Sequence, residues 1–158
     1  MMKKFSQIDI GAEFYAEVVI SASDLDAYLT FSRIKNIVYE NAKPSEQEKK
    51  MVSGRAILSR IEGEFTRLEE MYGNLLIFYG IDGDPNWNNR QTRFLKPVYT
   101  GDILKVKYKI SEKRELDDQF GLLGVDFEAV NQDNKAVVIS NRNLYRIKKD
   151  PPMHQEPT

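Results

Sequence analysis

FLKPVYTGDILKVKYKI, residues 94 to 110, decides how the rest of the chain is read. From Ile103 on, apolar Leu104, Val106, Tyr108 and Ile110 alternate with Lys105, Lys107 and Lys109. A period of two predicts a strand with one buried and one wet face. Ahead of it stand Pro97-Val98 and then Tyr99-Thr100-Gly101-Asp102. Proline has no N–H to give to a ladder and suits a strand boundary, while glycine permits a turn. One strand therefore closes near Pro97-Val98, and the next starts at Ile103.

Downstream, Leu122 to Val130 and Ala136 to Ile147 read as two more strands, joined as a hairpin by Asn131-Gln132-Asp133-Asn134. Upstream, strands are expected at Leu75 to Tyr79 and Gln91 to Leu95. The Gly80 to Asn89 stretch between them, rich in Gly, Asp, Asn and Pro, reads as a loop. Met51 to Tyr72 carries the strongest helical signal. Gly54, Leu58, Ile61, Phe65 and Leu68 recur at spacings of three and four, Ile57 widens the stripe, and Gly73-Asn74 offers a stop. Nearer the N-terminus, Glu13 to Ile20 alternates as a strand. Ser21 or Ser23 then caps a helix that has Asp24 and Asp26 in its first turn and Leu25, Tyr28, Leu29 and Ser32 at helical spacing. Asn41 to Lys50, with Pro44, reads as a loop or a short irregular helix. The order of strand, helix, long helix and run of strands is α+β, with the sheet wrapped around the long helix to bury its stripe.

Bulk properties exclude several functions. A chain of 158 residues suggests one domain with a real core. Lys plus Arg number 23 and Asp plus Glu 24, so no basic face for nucleic acid is implied. There is no cysteine, which removes disulfides, zinc–thiolate sites and thiol nucleophiles. Met1-Met2-Lys3-Lys4 lacks a following apolar run, and no segment approaches the roughly 20 apolar residues of a membrane span. A soluble, cytoplasmic protein is expected. The one histidine, His154, falls in a proline-rich tail from Asp150 to Thr158 that is expected to be flexible, so a single domain over 1–149 carries the function. Asp82-Gly83-Asp84-Pro85-Asn86 lacks the spacing of a calcium loop, and no metal or cofactor is expected.

Several segments together resemble one family. Ile8-x-x-Gly11 is followed by Ile20-Ser21-x-Ser23-Asp24-Leu25-x-x-Tyr28-x-x-x-Ser32. Val52-Ser53-Gly54 then opens the long helix, and Phe94-Leu95-Lys96-Pro97-Val98-x-x-Gly101-Asp102 precedes a strand. In order and spacing these resemble the MaoC-like hydratase/dehydratase family, whose members include the (R)-specific enoyl-CoA hydratases. The resemblance runs from about Phe5 to Ile147. It implies a hot-dog fold, an acyl thioester on coenzyme A or a carrier protein as ligand, and a homodimer with sites between subunits.

The resemblance also implies a catalytic Asp and His in a D-x-N-P-x-H motif after the first helix. Anchored on Ser32 and Gly54, the motif places Ile34 at the Asp, Asn36 at the Asn, Ile37 at the Pro and Tyr39 at the His. Isoleucine cannot move a proton. Tyrosine, as a residue type, ionises near pH 10, far from the neutral range suited to general catalysis. Altered or lost hydratase chemistry is therefore expected. Gly54 matches the glycine whose N–H would polarise the thioester carbonyl at a helix N-terminus, or it only permits close packing. Ser53 and Arg55 flank it as further substrate-binding candidates, and Arg55, Arg60 and Arg67 are either phosphate ligands or solvated charges. Glu62 stands where the family often has a small hydroxyl residue. It is either a buried carboxylate able to act on a thioester, as in some hot-dog thioesterases, or a solvated glutamate among Glu64, Glu69 and Glu70. Three functions follow: acyl-thioester handling with altered chemistry, a non-catalytic acyl-binding or partner subunit, and a thioesterase using Glu62.

Overall fold

A computed structural model describes residues 1–40, 49–78 and 91–152. Most of the expected loop at 41–50, the loop at 80–89 with its acidic cluster, Tyr79 and His154 lie outside the described residues. In chain order the elements are a 3-10 turn at Phe5–Gln7, β1 (Glu13–Val19), α1 (Ala22–Ser32), α2 (Ile37–Glu40) and α3 (Gly54–Arg67). The strands β2 (Leu76–Phe78), β3 (Gln91–Phe94), β4 (Ile103–Glu115), β5 (Phe120–Val130) and β6 (Ala136–Lys148) follow. The strands make one six-stranded antiparallel sheet in the order β1-β4-β5-β6-β2, with β3 also on β6. β3 pairs with residues 138–141 of β6 and β2 with residues 145–147, so the two short strands follow one another along one edge.

The alternation in β4 is realised. Leu104, Val106, Tyr108 and Ile110 are buried, while Lys105 and Lys109 are exposed and Lys107 reaches Glu128 at 3.4 Å. β4 runs beyond the expected Ile110 because Ser111 is accommodated as a bulge against β5. A second bulge interrupts β5–β6 at residues 141–142, where Arg142 takes φ 61° and donates its N–H to Asp126. Bulges bend the strands that carry them, and here they help curl the sheet around α3. Ser140 and Asn143, the buried polar residues beside the second bulge, satisfy each other, with Asn143 also donating to the Val125 carbonyl at 3.0 Å.

The stripe on α3 faces this sheet as its spacing predicts: Ile57, Leu58, Ile61 and Phe65 are buried, and the Phe65 ring packs on Tyr108 and Tyr145. The Tyr108 hydroxyl donates to the Ile61 carbonyl. Burial, with the negative charges of Glu64 and Glu62 added, pushes that hydroxyl above the ordinary tyrosine range, so it remains a donor.

Two helix boundaries differ from expectation. α3 ends at Arg67 rather than Tyr72, because Leu68 adopts ψ 145° and leaves the helix. The chain then turns back through Met71 and Tyr72 N–H bonds to Leu68, buries Met71, and uses Gly73 at φ 112°. α1 starts at Ala22, with Ser21 as its cap: Asp24 N–H donates to the Ser21 hydroxyl, and Ser21 N–H donates to the Asp24 carboxylate. That backbone bond chiefly holds the Asp24 carboxyl below its usual range, helped by Arg60. Pro151, inside the expected flexible tail, is buried, so the packed chain extends at least that far. No helix among the described residues is long and apolar enough to cross a membrane.

Ile61 has no exposed surface and sits at the centre of the stripe. Ile61→Ala is expected to cost about 2–5 kcal/mol, read as a lowered midpoint with unchanged slope in urea unfolding. A loss below about 0.5 kcal/mol, typical of surface positions, would contradict this packing.

Candidate functional site

α3 begins where the Pro97-Val98 segment crosses the chain. Val52 donates its N–H to the Val98 carbonyl at 2.7 Å, Thr100 donates to the Lys50 carbonyl at 2.8 Å, and Lys50 N–H returns to Thr100 Oγ1 at 3.1 Å. Gly101, at φ 86°, donates to the Ile20 carbonyl, and the buried Asp102 carboxylate accepts from Tyr99 N–H at 2.9 Å and Gln132 Nε2 at 3.1 Å. The Pro-Val and Gly-Asp pairs thus tie the entry of α3, the end of β1 and the β5–β6 turn to the start of β4.

Ser53, buried, is the N-cap of α3 and gives no side-chain cap to the first turn. Gly54 follows at the first helical position, and the ring of Phe94, the last residue of β3, lies against it. A Cβ on residue 54 would stand 2.8 Å from Phe94 Cζ. Close packing therefore explains this glycine, whatever its N–H does. Tyr39, Met51, Gly54, Ile57, Phe94 and Lys96 line a groove of about 360 Å³ at the start of α3. Arg55, beside it, is exposed.

α2 brings Tyr39 to this groove. The turn into it uses Arg33 at φ 61°, and Asn36 caps it, its side-chain oxygen accepting Val38 N–H at 3.1 Å. Asn36 is exposed and, with Ile34 and Tyr39, lines a neighbouring groove of about 290 Å³. Tyr39 is thus common to both grooves. Glu62 lies elsewhere. It is about 12 Å along the axis from Gly54 at 1.5 Å per residue, is absent from the lining of either groove, and keeps one carboxylate oxygen shut off from solvent. Arg60 is tied to Asp24 at 3.1 Å and to the Val19 carbonyl at 3.0 Å, which makes it a brace between α1, β1 and α3. Arg67 is exposed at the helix end. The sequence reading missed Phe94 and Lys96 as groove residues. They stand in the quoted stretch itself, where they signal only the end of a strand.

No protein-family model matches the sequence, and neither does any curated protein. Solved structures do match. A monoamine oxidase regulatory protein from Archaeoglobus fulgidus superposes with TM-score 0.69 at 21% identity, over 95% of this chain and 97% of that one. An (R)-hydratase from Pseudomonas aeruginosa gives TM-score 0.63 at 21% identity, over 91% and 83%. A MaoC-like dehydratase from Rhodospirillum rubrum gives TM-score 0.63 at 12% identity, over 92% and 97%. The fold is the hot-dog fold. At such identities the likeness carries the hot-dog fold, and the chemistry rests on this chain's own residues.

The Gly54–Phe94 contact can be measured. Gly54→Ala is expected to destabilise by about 1 kcal/mol, at the low end for overpacking, because the added methyl displaces the ring. In a Phe94→Ala background the same change becomes neutral or stabilising, since alanine favours a helix over glycine. A double-mutant cycle of urea midpoints that shows no coupling would contradict the contact.

Proposed function

We propose that this protein binds acyl thioesters, on coenzyme A or a carrier protein, in the groove at the start of α3, with hydratase chemistry altered or lost. One observation carries the reading: the groove at the helix N-terminus is present, while the positions expected to hold the acid/base pair are Ile34 and Tyr39. The Gly54 N–H, at the positive end of α3, polarises the thioester carbonyl. Ser53 sets the entry of that turn, Arg55 meets the anionic carrier group, and Tyr39 forms the opposite wall, which it shares with the neighbouring groove lined by Asn36. The protein works in the cytoplasm.

A homodimer accompanies this reading. Leu75, Ile77 and Phe78 are exposed along the β2 end of the sheet edge. Exposed apolar residues on an edge strand mark a surface that another chain covers. The same surface suits the second reading, a non-catalytic subunit paired with an active relative. The third reading, a thioesterase using Glu62, draws on its one solvent-shielded carboxylate oxygen.

A crotonyl-CoA hydration assay run beside calorimetric titration with acyl-CoAs separates these readings. Binding with hydration near background is expected, because each missing member of an acid/base pair typically forfeits 10²–10⁴ in rate. Turnover of tens per second would contradict it, and Glu62→Gln then shows whether that carboxylate supplies the chemistry. Release of free CoA that Glu62→Gln abolishes selects the thioesterase. Neither binding nor turnover would remove the acyl-thioester reading altogether. Light scattering should give the mass of a dimer at micromolar concentration.

A further inference from the structure

We infer that Phe94 limits the acyl group to a short chain, acting as the wall that the acyl chain meets beside the thioester carbonyl. The inference rests on the acyl-thioester reading and adds to it a residue that selects the ligand. Side chains on a helix lean toward its N-terminus. The Phe94 ring occupies the space a side chain at residue 54 would fill, within 2.8 to 3.2 Å of that Cβ position. It therefore borders the approach to the first-turn N–H groups. An acyl carbonyl placed at the Gly54 N–H has its chain running along this ring, with Ile57 and Tyr39 lining the rest of the groove.

The groove, about 360 Å³, is open on one side, so the position of the ring, and not the total volume, sets how a chain can run. The ring is also held in place. Phe94 pairs with Val138 of β6, and the next residue, Leu95, donates its N–H to the Val137 carbonyl at 2.8 Å. With the backbone fixed at both residues, only side-chain rotation can move the ring. Phe94 is nonetheless 47% exposed, so truncating it opens the groove to solvent and leaves no sealed cavity in the core.

The test uses calorimetric titration of the full chain with acetyl-, butyryl- and octanoyl-pantetheine, which carry the portion common to coenzyme A and carrier proteins. Wild type is expected to prefer butyryl over octanoyl. Phe94→Ala shifts the octanoyl-to-butyryl affinity ratio by about tenfold toward octanoyl, the low end for a methylene-sized change in an apolar pocket. Phe94→Tyr keeps the wild-type ratio, and circular dichroism of each variant confirms the fold. Wild-type binding with an unchanged ratio in folded Phe94→Ala overturns the role of Phe94 and leaves the acyl-thioester reading standing. Equal weakening of all three ligands also overturns it. No binding of any thioester by wild type overturns both.

Discussion

Two short antiparallel strips of backbone, residues 50–52 and 98–100, hold each other, and the placement of the groove depends on that contact. The Val52 and Thr100 N–H groups and their carbonyl partners fix where α3 starts relative to where β4 restarts. Asp102 and Gly101 close the turn from the other side, against Tyr99, Gln132 and Ile20. A buried carboxylate that accepts two such bonds is expensive to remove, since its partners would be stranded. The Pro-Val and Gly-Asp pairs of the opening stretch therefore act as a clasp. They let a helix N-terminus stand at the lip of the sheet with Gly54 directed at Phe94.

The curled sheet does the remaining work. Bulges at Ser111 and at Arg142 bend β4 and β6 on either side of β5, so that Tyr108 and Tyr145 both reach Phe65. The Tyr108 hydroxyl on the Ile61 carbonyl then pins the middle of α3. With its start clasped and its middle pinned, the helix presents its first turn to the groove in one register. Glu62, next to that pin, is held about two turns away from the groove. A catalytic role for Glu62 therefore needs a second approach to α3, separate from the one at Gly54.

Much of this was legible from residue order, for physical reasons. The lysine alternation in β4 survives as a wet face because cross-strand neighbours Glu13, Glu17 and Glu128 make that face comfortable in water. The stripe on α3 survives because burial of Ile57, Ile61 and Phe65 outweighs anything local. What local pattern could not carry are contacts made across the fold. Leu68 continues the helical spacing yet leaves the helix, because Met71 is buried in the turn that follows. Phe5 and Ile8 precede the first strand and carry no periodic signal of their own, yet they pack into the core, with Phe5 against Gly121. Asn36 and Tyr39 stand in a motif register, whereas the short helix they form, and the use of Asn36 as its cap, appear only in three dimensions. Gly54 was readable as a tight position, and Phe94, the partner that makes it tight, was not.

The central claim is that an acyl thioester is received at the N-terminus of α3, between Tyr39 and Phe94. Backbone amide chemical shifts recorded while butyryl-CoA is titrated into ¹⁵N-labelled protein test it most directly. The account predicts that the largest changes fall on Gly54, Arg55 and Phe94, with Glu62 little affected. Shifts concentrated on the outer face of β1, β4 and β5, or at Glu62 with Gly54 unmoved, would contradict it.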